Sequence, residues 1–353
     1  MRQRRLGRLG LVGSTAVLGL FLAVTPTLAC GGLIGPNGAV NLLRTTTLAG
    51  YHDGVEHYVT AFQFAGGGGA FGSITPLPGV PTSVVKGGDW TLQRLVRETS
   101  PVEDVALRAA AVPAASAAEL MKVRIDALDL TVLEGGAGAI GAWAKDHGFR
   151  LPPDAPEVLD FYAARSPIFL AAAFDADAAK ARGQELGDGT PVHITIPTDN
   201  PWVPLRILAL GKTAAEPIDA DVYLLTDRAP ALLPAPSGSN GLRLDHSAAA
   251  TGSLLSDLRS DRGMDWIPRS GWLTKVAIDG TAAQLGFDLA IDASGANRPS
   301  AVDAGFTMPR AVIPTAPPDL SRLFLALAFV AVGVVGVGLI GRSRPSSGRP
   351  IAW

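Results

Sequence analysis

The chain has 353 residues, with 30 Lys or Arg against 32 Asp or Glu and a formal net charge of −2. Four arginines lie in the first eight residues and three follow position 341, so the part between holds 23 bases against 32 acids. An acidic middle of this kind argues against nucleic acid as a partner and against a polybasic grip on anionic lipid. A single cysteine, Cys30, excludes an intramolecular disulfide.

The chain opens on Arg2, Arg4, Arg5 and Arg8, followed by the uncharged apolar segment Leu9 to Val24. Pro26 then breaks any helix, and Thr27-Leu28-Ala29 places a small residue before Cys30. This is the layout of a secretory signal peptide over residues 1–29, with an uncleaved anchor as the competing reading. Cys30 would then be acylated as a first residue, free, or linked to another chain. Residues 30–293 read as one extracytoplasmic globular domain, long enough to fold on burial alone.

Within that domain, Leu42 to Tyr51 and Val55 to Phe64 are Thr- and aromatic-rich runs joined through Asp53-Gly54, a dipeptide suited to a two-residue hairpin turn. Gly66 to Gly69 interrupts before Ser73-Ile74-Thr75 and a Pro-stiffened stretch to Pro81. A helix is predicted from Asp89, with Leu92, Leu95 and Val96 on one face, stopping before Pro101. Ala109 to Ala118 reads as a linker. Met121 to Ala127 alternates as a half-buried strand. A helix near Gly138 to His147 aligns Ile140, Trp143 and Ala144. Another begins at Asp154, with Pro156 in its first turn, Glu157 three residues after the cap, and Val158, Phe161 and Tyr162 as its apolar face.

Strands are predicted at Ile168 to Phe174, Val192 to Ile196, Val222 to Thr226 and Leu285 to Ile291. Asp279-Gly280 suggests a hairpin joining the last to Leu273 to Ile278. Strands and helices do not alternate regularly, so the expected fold class is α+β with largely antiparallel sheet. Residues 294–321, rich in Pro and Ala, read as a stalk. Leu323 to Ile340 is an 18-residue run without a charge, ~27 Å long if helical. It predicts one C-terminal transmembrane helix over residues 322–341. Arg342, Arg344 and Arg349 place the short tail, 342–353, on the cytoplasmic side.

Four strings carry a resemblance. Ala29-Cys30-Gly31-Gly32 stands at the mature start. Gly87-Gly88-Asp89-Trp90-Thr91-Leu92 precedes Arg94-Leu95 and Thr99-Ser100-Pro101. Ala142 to Phe149 (AWAKDHGF) runs into Leu151-Pro152, and Pro197 to Ile207 (PTDNPWVPLRI) completes the set. Together, over roughly residues 29 to 230, they resemble the bacterial domain-of-unknown-function family 2330. The resemblance implies export, often with a membrane helix at the end, and transfers no catalytic residue. Relatives often carry a second cysteine soon after the first, which Leu33 to Asn37 does not supply.

Candidate chemistry is sparse. His52 and His57 flank the first hairpin as diagonal neighbours on one face, with Glu56 on the other. Two imidazoles are half a zinc site, and no HExxH or Cys-rich spacing completes it. Gly-x-Ser-x-Gly is absent, and Asp245-His246-Ser247 is contiguous rather than assembled by the fold. Gly66 to Gly69 lacks the Lys-Ser/Thr of a phosphate loop, and Asp175, Asp177 and Asp188 lack calcium-loop spacing. No catalytic, cofactor or metal residue is therefore assigned, and no cofactor is expected. Trp202 and Arg206 are the candidate partner-binding residues: Pro201 and Pro204 hold the indole between them, and an arginine beside a rigid aromatic is a common interface anchor. Packing of Trp202 into the core is the competing reading.

The expectation is a non-enzymatic, single-pass protein of the bacterial cell membrane. Its C-terminal helix sits in the lipid bilayer, and its outer domain binds or scaffolds an envelope protein. The alternative is an envelope enzyme, a metal-dependent hydrolase with dispersed site residues.

Overall fold

The computed structural model of the protein describes residues 32–36, 38–39, 44–63, 70–100, 120–181, 183 and 189–306. Its strands in chain order are β1 (Gly32–Gly35), β2 (Gly38–Ala39), β3 (Arg44–His52), β4 (Val55–Gln63), β5 (Phe71–Leu77), β6 (Ser83–Lys86), β7 (Met121–Ile125) and β8 (Leu128–Glu134). They continue with β9 (Ile168–Phe174), β10 (Gly189–Pro197), β11 (Trp202–Val203), β12 (Pro217–Thr226), β13 (Ala231–Leu233), β14 (Leu242–Ala249), β15 (Trp272–Thr281) and β16 (Leu289–Asp292). The helices are α1 (Thr91–Thr99), α2 (Ala137–Asp146), α3 (Ala155–Ala163), α4 (Ala176–Ala181) and α5 (Gly252–Ser260).

A seven-stranded sheet runs β14-β15-β12-β3-β4-β10-β6, a six-stranded one β2-β1-β5-β9-β8-β7, and a small third sheet joins β11, β16 and β13. Among the described residues every neighbouring pair is antiparallel except β3 and β12. Those two run together because the chain between them leaves to build most of the six-stranded sheet. The two large sheets pack face to face. In β9, Ile168, Leu170, Ala172 and Phe174 point into this shared core, while Phe169 and Ala171 point outward, as the two-residue period of a strand requires. Helices α2 and α3 cover that outward face through Ile140, Trp143, Val158 and Tyr162.

On the far side, α1 and α5 cover the seven-stranded sheet, Leu92, Leu95, Leu254 and Leu258 packing on Leu48, Val59 and Tyr223. The Asp261 carboxylate ties the two helices together. It accepts from the backbone N–H groups of Asp89 at 3.0 Å and Trp90 at 2.9 Å, at the entrance of α1, where anionic side chains are favoured.

The fold class differs from the α+β expectation. The described residues are 41% strand and 21% helix, and the core is sheet against sheet, so the domain is mainly β. Its helices run from 6 to 10 residues and serve as covers. Sequence periodicity marks such covers as clearly as core helices, while the short strands β1, β2, β6, β11 and β13 leave almost no periodic trace. The expected turn at Asp279-Gly280 is also absent. There β15 runs straight through, pairing Asp279 with Asp219 and Gly280 with Ile218. Leu285 and Phe287 are buried as expected, but the last strand starts only at Leu289.

The fold expectation also included a transmembrane helix. No helix among the described residues is long and apolar enough to cross a membrane. The apolar run Leu323 to Ile340, the residues before Gly32, the basic tail, Gly66 to Gly69 and Ala109 to Ala118 lie outside the described residues. Residues 294–306, where a stalk was expected to begin, lie against the domain: Ala304 is buried and its carbonyl accepts from the Asp288 N–H at 3.1 Å.

Candidate functional site

The β3–β4 hairpin has the expected register. Asp53 (φ 49°) and Gly54 (φ 77°) form a two-residue turn, and His52 pairs with Val55, Tyr51 with Glu56 and Gly50 with His57. Positive φ at both turn positions suits the twist of a tight hairpin. The register puts Gly50, His52 and His57 on the outer face and Tyr51 and Glu56 on the opposite one.

The three polar side chains meet different partners. His52 directs Nδ1 to Asp227 Oδ1 at 2.7 Å. His57 Nδ1 lies 2.9 Å from Nε2 of His193 on β10, and the indole of Trp266 stacks parallel on His57 at 4.0 Å and 2°. Buried Met264 and Ile267 hold the segment that carries Trp266. Gly50 supplies its slot: a Cβ there would stand 2.4 Å from the indole Cη2. Burial pushes both His57 and His193 down to about 4, so both imidazoles are neutral at physiological pH.

Glu56 is fully buried, and burial raises its carboxyl to about 8. The Trp202 backbone N–H offsets that rise in part, but neither carboxyl oxygen completes a hydrogen bond of normal geometry. His52, Glu56 and His57 therefore do not converge. Among the described residues no group of three or more His, Cys, Asp or Glu is placed to hold a metal ion.

The Pro197 to Ile207 string spans two environments. Trp202 is 1% exposed and stacks on Tyr162 at 5.8 Å. Arg206 forms an ion pair with Glu157 and lies over the Phe161 ring at 4.2 Å. Just beyond, a buried network closes on Asp288. Its carboxylate accepts from Arg165 Nη2 at 2.6 Å, Tyr162 Oη at 2.8 Å, and the Leu205 and Arg206 N–H groups at 2.7 and 3.0 Å. Tyr162 Oη in turn accepts from the Ile207 N–H at 2.8 Å.

The other end of the string, Asp199 to Pro201, opens on a cleft of about 300 Å³ beside the hairpin turn. Tyr51, Asp227, Arg228, Asp292 and Arg298 also line it. The Tyr51 hydroxyl donates to the Thr198 carbonyl at 2.9 Å, and burial together with the charges of Asp199 and Glu56 raises its pKa. Asp292 accepts from the Arg298 N–H at 2.7 Å and from Ser294, which holds its carboxyl below the usual range. The guanidinium groups of Arg228 and Arg298 have no carboxylate partner among the described residues, and Asp199 has no cationic one. An open polar cleft with unmatched charges of both signs can receive a ligand that carries both.

Of the two residues singled out in the sequence, Trp202 is buried and Arg206 is paired with Glu157, and neither lines the cleft. Asp227, Arg228, Asp292 and Arg298 carried no sequence signal, because they span more than 60 positions and meet only through tertiary folding. His193 gave one faint signal, a polar residue alternating between Val192 and Ile194, but its pairing partner is 136 positions away.

Comparison with known proteins gives one family match. The bacterial family described as "uncharacterized protein conserved in bacteria (DUF2330)" matches residues 24–231. No curated protein matches the chain. Among solved structures, baculovirus P35 is similar at 10% identity and a TM-score of 0.39, over 71% of this chain and 96% of that one. P35 in the caspase-8/P35 complex is similar at 7% identity and a TM-score of 0.37, over 71% and 96%. A mutated baculovirus P35 after caspase cleavage gives 9% and 0.36, over 72% and 98%. Likenesses this low carry no argument about fold or function.

Proposed function

The chain belongs to the bacterial family DUF2330, and we propose that it is a non-enzymatic binding protein of the cell envelope that holds a partner in the hairpin-side cleft. In this reading the folded domain stands outside the cytoplasmic membrane and the basic end of the chain stands inside. Support for that placement comes from the basic start with its apolar segment, the acidic middle, and the apolar run before Arg342.

The single observation that carries the binding reading is the pair of guanidiniums, Arg228 and Arg298, beside Asp199 in one open cleft, all three without an oppositely charged partner among the described residues. Arginines in this state offer planar, bidentate donors to a carboxylate, and Asp199 offers an acceptor to a cationic group. A polypeptide segment of mixed charge on another envelope protein has the matching chemistry.

The test is a photoreactive residue placed at Asn200 in living cells. The expected result is a discrete protein adduct that disappears in Arg228→Glu/Arg298→Glu, while protease added outside digests the domain. Absence of any adduct, or an adduct indifferent to both charge reversals, contradicts the binding reading. A domain protected from external protease contradicts the placement.

A further inference from the structure

Away from the cleft, on the outer face of the seven-stranded sheet, the His57–His193 pair has a use that the binding reading does not absorb. We propose that His57 Nδ1 and His193 Nε2 form a two-coordinate site for a soft monovalent d10 cation, Cu(I) or its redox-inert analogue Ag(I), under the indole of Trp266.

Several observations converge on this chemistry. The sheet register fixes both rings: His57 sits opposite Thr195, and His193 opposite Val59, so the imidazoles are diagonal neighbours on one face. Their nitrogens face each other at 2.9 Å, with one hydrogen standing where a metal would bridge. Metal–imidazole bonds of ~2 Å place two ligand nitrogens ~4 Å apart, so the pair has to open by about 1 Å. His57 is the less buried of the two rings, so the opening falls to it, as a shift along the face of the parallel indole.

The 2.9 Å contact between the two ring nitrogens requires a lone pair on one of them, and a neutral imidazole is the form that ligates. Loading needs no net loss of protons. The hydrogen between the rings leaves its nitrogen and a proton returns, through solvent, to the far nitrogen of the same ring.

The donor set also selects the metal. Zinc takes four ligands and calcium six or more oxygens, and no third ligand of the His, Cys, Asp or Glu type is grouped with the pair among the described residues. His52 is committed to Asp227, and Asp265, whose charge acts on both rings, is not grouped with them as a ligand. Two nitrogens in opposition satisfy only cations content with linear coordination, and imidazole suits copper. Trp266 adds the third observation. Its ring lies 4.0 Å from His57 and 5.5 Å from His193, so one π-face lies beside both ligands and attracts a cation held between them.

The experiment uses the full chain carrying Cys30→Ser, so that the one thiol does not compete. Ag(I) is added as its nitrate in chloride-free buffer; bound silver is counted after dialysis and the imidazole nitrogens are followed by ¹⁵N NMR. The expected result is one Ag(I) per chain, with the His57 and His193 resonances moving together. His57→Gln and His193→Gln each weaken binding by more than the ~10–100-fold that changes around a metal's ligands cost. Trp266→Leu, which keeps both ligands, weakens it about 10-fold. Zn(II) at the same concentration leaves both rings unmoved. The proposal is overturned if silver does not bind, if both histidine variants retain it while folded by circular dichroism, or if zinc binds the pair. Should either histidine variant fail to fold, the Trp266→Leu affinity and the ring resonances of the parent decide alone.

Discussion

One short strand, β16, ends in two different polar environments. Asp288, just before it, is fully buried and meets four donors, all from within the domain. Asp292, at its other end, borders a cleft where Arg228, Arg298 and Asp199 stand unmatched among the described residues. β11 runs alongside in register, Trp202 opposite Ala290, so the same Pro-Trp string reaches both places. A charge taken out of water has to be matched internally or it costs several kcal/mol. A charge left at an open cleft carries no such demand and stays available. Closure marks the Asp288 end as architecture, and openness leaves the Asp292 end available to the proposed partner.

The largest effect expected from breaking this contrast is at the closed end. Asp288→Ala strands the Arg165 guanidinium, and chemical denaturation should show a loss of ~3–5 kcal/mol. Next comes pH, through the hairpin that separates the two faces. His57 and His193 sit at about 4 in the folded state against 6.5 unperturbed. The unfolded chain therefore binds more protons between those values, and stability rises with pH across that window. Glu56 has the opposite sign: at about 8 against 4.5, the folded chain binds the extra proton, and stability falls as pH rises toward 8. Between pH 6.5 and 8 the Glu56 contribution should cost about 2 kcal/mol, offset in part by the upper half of the unfolded-state histidine titration. Glu56→Gln should abolish that falling limb and steepen the rise below pH 6.5, where Glu56 opposes the histidines.

Smaller again is Arg206→Ala. Its ion-pair partner Glu157 is 74% exposed, so thermal melts should show a loss within the ~0.2–1 kcal/mol of surface pairs. Smallest is Arg228→Ser with Arg298→Ser, expected to change stability by no more than ~0.5 kcal/mol.

The parts of this arrangement legible in the sequence are the local ones. Asp53-Gly54 set the hairpin register and thus the opposite faces of Glu56 and His57, because a two-residue turn leaves no slack. Strand β9 and the faces of α2 and α3 followed from periodicity. The direction of Trp202 did not, since prolines on both sides stiffen a segment equally whether its ring points inward or outward. The burial of Trp202 depends on Tyr162 and Arg165, some 40 positions earlier, and the cleft depends on segments of the seven-stranded and the small third sheet that meet only when the two are assembled. The α+β expectation erred for the same reason: helices announce themselves over nine or ten residues, whereas two-residue strands such as β2 and β11 exist only through their partners.

The central claim is that the open end of β16 binds and the closed end supports. It is tested most directly by comparing the Asn200 photo-adduct in cells across Arg228→Ser/Arg298→Ser and Arg206→Ala at equal amounts of folded protein. The adduct should vanish in the first variant and persist in the second. Persistence in the first with loss in the second would place the binding surface at Arg206 and contradict this account.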